Sequence, residues 1–199
     1  MLTVTITGIC EEAPIQPTFP KWAFCVAYQI RDADARDKRP VNPNAVKDPF
    51  IEGDTSIPSG LLNESNVVDV AALSTRIVKS GALRHPTAEI VLRSSTRGTQ
   101  RHPIMDCYDP HHIFVFYGYE GNPVAAIEVC FSCNRVKMSP EIRVGEGVSG
   151  PFETADLGKL AKAATEAGLD LKPYASLDAY LQRLDKLKER AINEAQPQR

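Results

Sequence analysis

Four residues in this chain have side chains able to hold a soft metal, form a disulfide or attack an electrophile: Cys107, His112, Cys130 and Cys133. Thiolates and a neutral imidazole are the ligands that tetrahedral zinc prefers, and Cys3His is one of its usual compositions. Cys130 and Cys133 stand two residues apart, and Asn134 behind them tolerates the left-handed backbone that a metal knuckle requires. The same residues permit two other states: thiols packed as small apolar groups, or a disulfide from Cys107 to Cys130 or Cys133. An activated thiolate beside His112 is a further reading. The segment after Cys133 weakens it, because redox CxxC pairs open a helix and residues 134–138 carry no helical signal.

These residues must be positioned by the segment that carries them. Residues 107–133 contain two β-rich runs around Glu120, Gly121 and Asn122, residues that tolerate a tight turn, so the spacing predicts a hairpin over 112–131. If Tyr119 faces Pro123, then Tyr117 opposes Ala125, Val115 opposes Ile127 and Ile113 opposes Val129, which gives one continuous apolar face. In that register His112 lies directly opposite Cys130 with Glu128 as a diagonal neighbour, while His111 points to the other side, toward Phe131. Cys107 precedes the first strand at the same end, so all four groups converge.

Cys107, Pro110, His111, His112, Phe116, Tyr117, Cys130, Phe131, Cys133 and Asn134 occur in an order that resembles a group of bacterial proteins carrying C-x-x-P-H/R-H, then Phe-Tyr in a hairpin, then C-F-x-C-N. The resemblance covers about thirty residues. It implies a shared hairpin in which the Cys/His positions act as a unit, and no reaction; some similar proteins look exported, which keeps the disulfide reading open.

Around the hairpin, alternation predicts strands over 2–9 and 22–30; the latter has Trp22, Phe24, Val26, Tyr28 and Ile30 on one face and small residues on the other. Residues 31–62 and 93–106 have no sustained period and read as irregular. Within them the Asp32, Asp34, Asp37 cluster lacks the glycine and glutamate of an EF-hand, and Arg93, Arg97, Arg101 and His102 read as a solvated basic loop. Ser65 caps an expected helix over 66–80 that stops at Gly81, and a strand is expected at 88–92. Thr154 caps a helix over 155–167 ending at Gly168. Ser176 caps a last helix whose Leu177, Tyr180, Leu181, Leu184 and Leu187 form a stripe of core-packing type.

The whole is an α+β chain with a mixed or antiparallel sheet, one central and two C-terminal helices, and a single domain over 1–199 with sub-layers 1–100 and 101–195. Its 199 residues, 43% hydrophobic and 24% charged, can bury a core and exclude a wholly disordered chain. A net charge of −2 supplies no general attraction to nucleic acid or anionic membrane, and no run approaches a membrane span. Five cysteines cannot all pair within one chain, which favours a reducing, cytoplasmic setting unless an export signal was removed. No complete acid/base, nucleotide or hydrolase signature identifies a substrate. The expectation is a non-catalytic bacterial binding or accessory protein whose partner is another protein, with the Cys/His cluster as a zinc or disulfide clip. The alternative is a metal- or thiol-dependent enzyme at the same cluster.

Overall fold

The structure is a computed structural model and describes residues 19–30, 74, 76–96, 101–104, 110–140, 148–149 and 152–195. In chain order the elements are β1 (Phe24–Ile30), β2 (Ile77–Leu83), α1 (His85–Thr96), β3 (His102–Pro103), β4 (His112–Tyr117), β5 (Pro123–Cys130), β6 (Arg135–Ser139), β7 (Val148–Ser149), β8 (Phe152–Glu153), α2 (Leu157–Glu166) and α3 (Leu177–Ala195). Five strands form an antiparallel sheet in the order β2-β1-β4-β5-β6, and β3-β8-β7 form a smaller one. The fold is α+β.

One face of the large sheet carries Cys25, Ala27, Phe114, Phe116, Ile127 and Val129, and packs against Ala88 and Val91 of α1, Leu157 and Leu160 of α2, and Tyr180 and Leu184 of α3. The small residues of β1 face this main core, so the helices approach closely there. Ile30, Ile113, Val115 and Ala126 form a second apolar cluster on the opposite face, joined by Tyr28, Ile77 and Tyr117. Strand β4 is therefore buried on both sides from His112 to Phe116.

That two-sided burial explains why the hairpin register differs from the expected one. Where every position is apolar, a slip by one residue keeps a greasy face either way, and the turn together with any bulge beside it decides. Gly121 takes φ +78°, its N–H donates to the carbonyl of Gly118, and the Gly118 N–H donates to the carbonyl of Asn122. The three-residue loop is thus 119–121, with Gly121 in the left-handed position that follows a type I turn. The loop sets Tyr117 opposite Pro123, and an irregularity between Phe116 and Tyr117 then moves the ladder by one residue, which pairs Phe114 with Ile127, Val115 with Ala126, Ile113 with Glu128 and His112 with Val129. His112 does not oppose Cys130.

Other expectations change as well. Residues 77–80 belong to strand β2, not to a helix, while 66–73 lie outside the described residues. The expected strand at 88–92 is part of α1: Pro86 occupies the first turn, Ala88, Val91 and Ser95 recur on one buried face, and Glu89 meets Arg93 at 3.6 Å four residues on. The β-branched Ile90 and Val91 suggest a strand, but packing overrides that preference. The segment 93–106 is likewise helical to Thr96 and forms a strand at His102 and Pro103. The expected strand at 2–9, the loop 31–62 and its aspartate cluster lie outside the described residues.

Helix α2 is capped by Asp156 rather than Thr154; its carboxylate accepts the Lys159 N–H at 3.3 Å. At its far end Gly168 takes φ +78°, the Gly168 N–H bonds the Thr165 carbonyl and the Leu169 N–H bonds the Ala164 carbonyl, a Schellman turn. Helix α3 begins as expected, with the Ser176 hydroxyl accepting the Ala179 N–H at 3.1 Å. Glu153, fully buried, accepts the N–H groups of Val136, Thr154 and Ala155 at 2.9, 2.9 and 3.1 Å, and so ties β6 to the lead into α2.

Two positions test this packing. A Cβ added at Gly81 would stand 2.1 Å from the backbone carbonyl oxygen of Ala167, which cannot move without shifting α2; Gly81→Ala is expected to lower stability by about 1–3 kcal/mol or more in urea melts. Leu184 is 2% exposed, so Leu184→Ala is expected to cost about 2–4 kcal/mol, while Leu181→Ala, only half-buried, costs less.

Candidate functional site

The open end of the hairpin gathers the buried polar side chains of Gln29, His112, Glu128 and Asn134. On the helix-bearing face, β1 and β4 place Gln29 and His112 as direct cross-strand neighbours, 5% and 1% exposed. Both reach one residue in the connection from α2 to α3. The Asp170 N–H donates to Gln29 Oε1 at 3.0 Å, and His112 Nε2 donates to the Asp170 carbonyl at 2.8 Å. A carbonyl only accepts, so His112 carries its proton on Nε2. Burial holds the imidazole neutral and pushes its pKa down to about 4, partly offset by the bond to Asp170. The Asp170 side chain turns outward to Lys79 on β2 at 2.8 Å, and that contact lowers its pKa. One residue thereby links β1, β2 and β4.

Residues 130–134 form the turn between β5 and β6, and Asn134 takes φ 57°, the left-handed conformation expected of it. Arg183 of α3 grips this turn from outside, donating to the Ser132 carbonyl at 2.9 Å and to Asn134 Oδ1 at 3.2 Å. Asn134 Nδ2 passes the contact on to the Pro103 carbonyl of β3 at 3.0 Å. Inside the turn, Phe131 packs edge-on to His112 and to Tyr180, at 4.9 and 5.1 Å between ring centroids. The turn is thus a hub between both sheets and α3.

The opposite face holds the other half of the expected cluster. Glu128 and Cys130, both fully buried, lie across β6 from Lys137 and Arg135. The pairing of His112 with Val129 puts His111, whose carbonyl accepts the Ile30 N–H at 2.9 Å, in register with Cys130. The adjacent histidine, not His112, therefore shares the face of Cys130 and Glu128. This corrects the assignment of His111 to the far side.

Of the four sequence-identified residues, His112, Cys130 and Cys133 are buried in the described structure, and Cys107 lies outside the described residues. Among the described residues no three His, Cys, Asp or Glu side chains stand close enough to share a metal ion. Among the described residues His112, Cys130 and Cys133 do not form such a group, for a plain reason: the irregularity between Phe116 and Tyr117 shifts the ladder by one residue and sends His112 and Cys130 to opposite faces of the sheet. Sequence reasoning missed Gln29, Asp170, Glu153 and Arg183. Gln29 alone leaves a trace, as the polar position within the small-residue face of β1. No described helix is long and apolar enough to cross a membrane. No family model, no curated protein and no solved structure matches the chain.

The grip on Asp170 yields a coupling test. His112→Ala and Gln29→Ala are each expected to cost about 1–3 kcal/mol, since each leaves a buried backbone group unpaired. The double variant is expected to fall short of the sum by at least about 0.5 kcal/mol, because releasing the connection once removes both contacts; equilibrium denaturation of the four proteins measures the difference.

Proposed function

We propose that the chain is a non-catalytic binding or accessory protein, of the bacterial type its hairpin motif resembles, in which the Cys/His hairpin is a structural clip and the partner is another protein. The observation that carries this reading is the division of labour along the hairpin. At its open end the polar side chains hold backbone: His112 and Gln29 hold Asp170, Asn134 holds Pro103, and Arg183 holds Ser132. At its turn end the side chains are offered outward. Tyr119 is 84% exposed and Phe24 45% exposed.

Phe24 is stacked on Tyr117 at 4.9 Å with rings 10° from parallel, and the Tyr117 hydroxyl bonds that of Tyr28 at 2.8 Å. Stacking and the hydroxyl pair hold Tyr117 and its neighbour in place before any partner arrives. Rigid aromatic groups with a polar handle are enriched at protein interfaces because they bury much area for little lost rotamer freedom. A reducing compartment suits the fully buried thiol of Cys25, whose pKa burial drives up, away from the reactive thiolate.

The clip reading and the thiol-enzyme alternative separate in one assay. Native full-length protein is treated with iodoacetamide while its fold is followed by circular dichroism. The expected result is that Cys130 and Cys133 resist alkylation until denaturant is added. Rapid stoichiometric alkylation of either in the folded protein overturns the proposal in favour of thiol chemistry. A photo-crosslinking residue at position 119 tests the other half: it is expected to give a discrete adduct with another protein that Phe24→Ser abolishes.

A further inference from the structure

The sequence groups His102 with a solvated basic loop, yet the structure buries it completely on β3, which lies against α3. Among the described residues neither ring nitrogen meets a hydrogen-bond partner. Charged groups surround the ring without reaching it. From β8 its cross-strand partner is Glu153, whose carboxylate is committed to the amides of Val136, Thr154 and Ala155. From the start of α2 comes Asp156, bound to the Lys159 amide and, at 2.7 Å, to its ammonium. From α3 come Asp185 and Lys188, 3.7 Å apart and paired with each other. Immediately before β3 stands Arg101, which is exposed.

A neutral imidazole leaves one N–H and one lone pair unmet among the described residues, a smaller cost than a buried charge. An imidazolium brings two donors and a full charge into the same place, and the described carboxylates around it, Glu153, Asp156 and Asp185, are already occupied. We propose that His102 is an acid-sensitive latch, whose protonation releases α3 from β3 and from the turn at residues 130–134.

The release is local because, among the described residues, side chains hold α3 to β3 and to the turn. Arg183 holds Ser132 and Asn134, and Tyr180 and Leu184 fill the core, whereas the strands are joined by continuous backbone ladders. Letting α3 go uncovers Phe131, Cys133 and the apolar stripe of the helix, a surface absent at neutral pH. The direction comes from linkage. Burial lowers the His102 pKa from 6.5 to about 4, with Lys188 adding to the fall and Asp156 and Asp185 opposing it. Between those two pH values the released state binds the proton and the latched state does not. The stabilisation is thus whole above about 6.5 and fades as pH falls toward 4.

Hydrogen exchange read by mass spectrometry on the full chain, with rates corrected for the intrinsic pH dependence of exchange, tests this. In the unaltered protein, peptides within 177–195 are expected to lose at least tenfold in protection between pH 6.5 and 4, while those of β4 and β5 stay protected. His102→Phe, which fills the site without a titrating group, is expected to move that loss down by at least half a pH unit and leave the β4 and β5 peptides unchanged. An unshifted transition in His102→Phe overturns the latch, as does parallel loss from helix and sheet in the unaltered protein. Should His102→Phe fail to fold, the imidazole signal of His102 in the unaltered protein decides by magnetic resonance. It is expected to stay neutral until α3 loses protection, and a ring that titrates near 6.5 with α3 still protected overturns the proposal.

Discussion

The structure depends on the backbone N–H and C=O of Asp170. The chain leaves α2 through a Schellman turn at Gly168 and must cross an apolar sheet before α3 can begin, and a crossing segment carries backbone groups that need partners. Gln29 and His112 supply an acceptor and a donor at one cross-strand position, so the backbone of a single residue satisfies both of them and is satisfied by them. Leu169 and Leu171 on either side are then carried into the core, each 4% exposed. Without that pairing, two buried polar side chains would stand unmet in the middle of the main core, and the connection would have no fixed height above the sheet.

His112 is a structural group by the logic of its hydrogen bond. A histidine that donates one nitrogen to a carbonyl is what a metal ligand also does, and the two roles differ only in what meets the other nitrogen. Here the ring edge faces Phe131, and through it Tyr180, so its surroundings are aromatic. The Cys/His signature in the sequence thus contains two separate halves, His112 with the helices and Cys130 with Glu128 on the reverse face.

How much of this the sequence reveals depends on where the burial is one-sided. Helix α3 is legible, cap and stripe together, because its outer surface is charged and its period is unambiguous. The left-handed Asn134 is legible because few residues take that conformation. Strand β4 is recognisable as a strand but not in its register: Ile113, Phe114, Val115 and Phe116 satisfy either face, and the register is set by the turn at Gly118 and Gly121 and by the one-residue shift between Phe116 and Tyr117 beside it. Helix α1 reads wrongly as a strand because Ile90 and Val91 favour strands, while its true signals, Pro86 in the first turn and the spacing of Ala88, Val91 and Ser95, are weaker. Gln29, Asp170, Glu153 and Arg183 are not legible as a set, since each acts on a residue far away in the chain and carries no motif with it.

Glu153 has a consequence for how this molecule behaves in company. A strand at the rim of a sheet presents amide groups that another chain can use to continue the ladder, the first step of edge-to-edge aggregation. On β6 the Val136 N–H that would serve such a visitor is already taken by the Glu153 carboxylate, delivered from β8 and buried there. A side chain folded in from elsewhere thus takes one of the amides that a further strand would use. At the opposite rim β2 carries Lys79, a charge that an incoming strand would have to desolvate. The protein meets a crowded solution with one edge partly plugged and the other guarded.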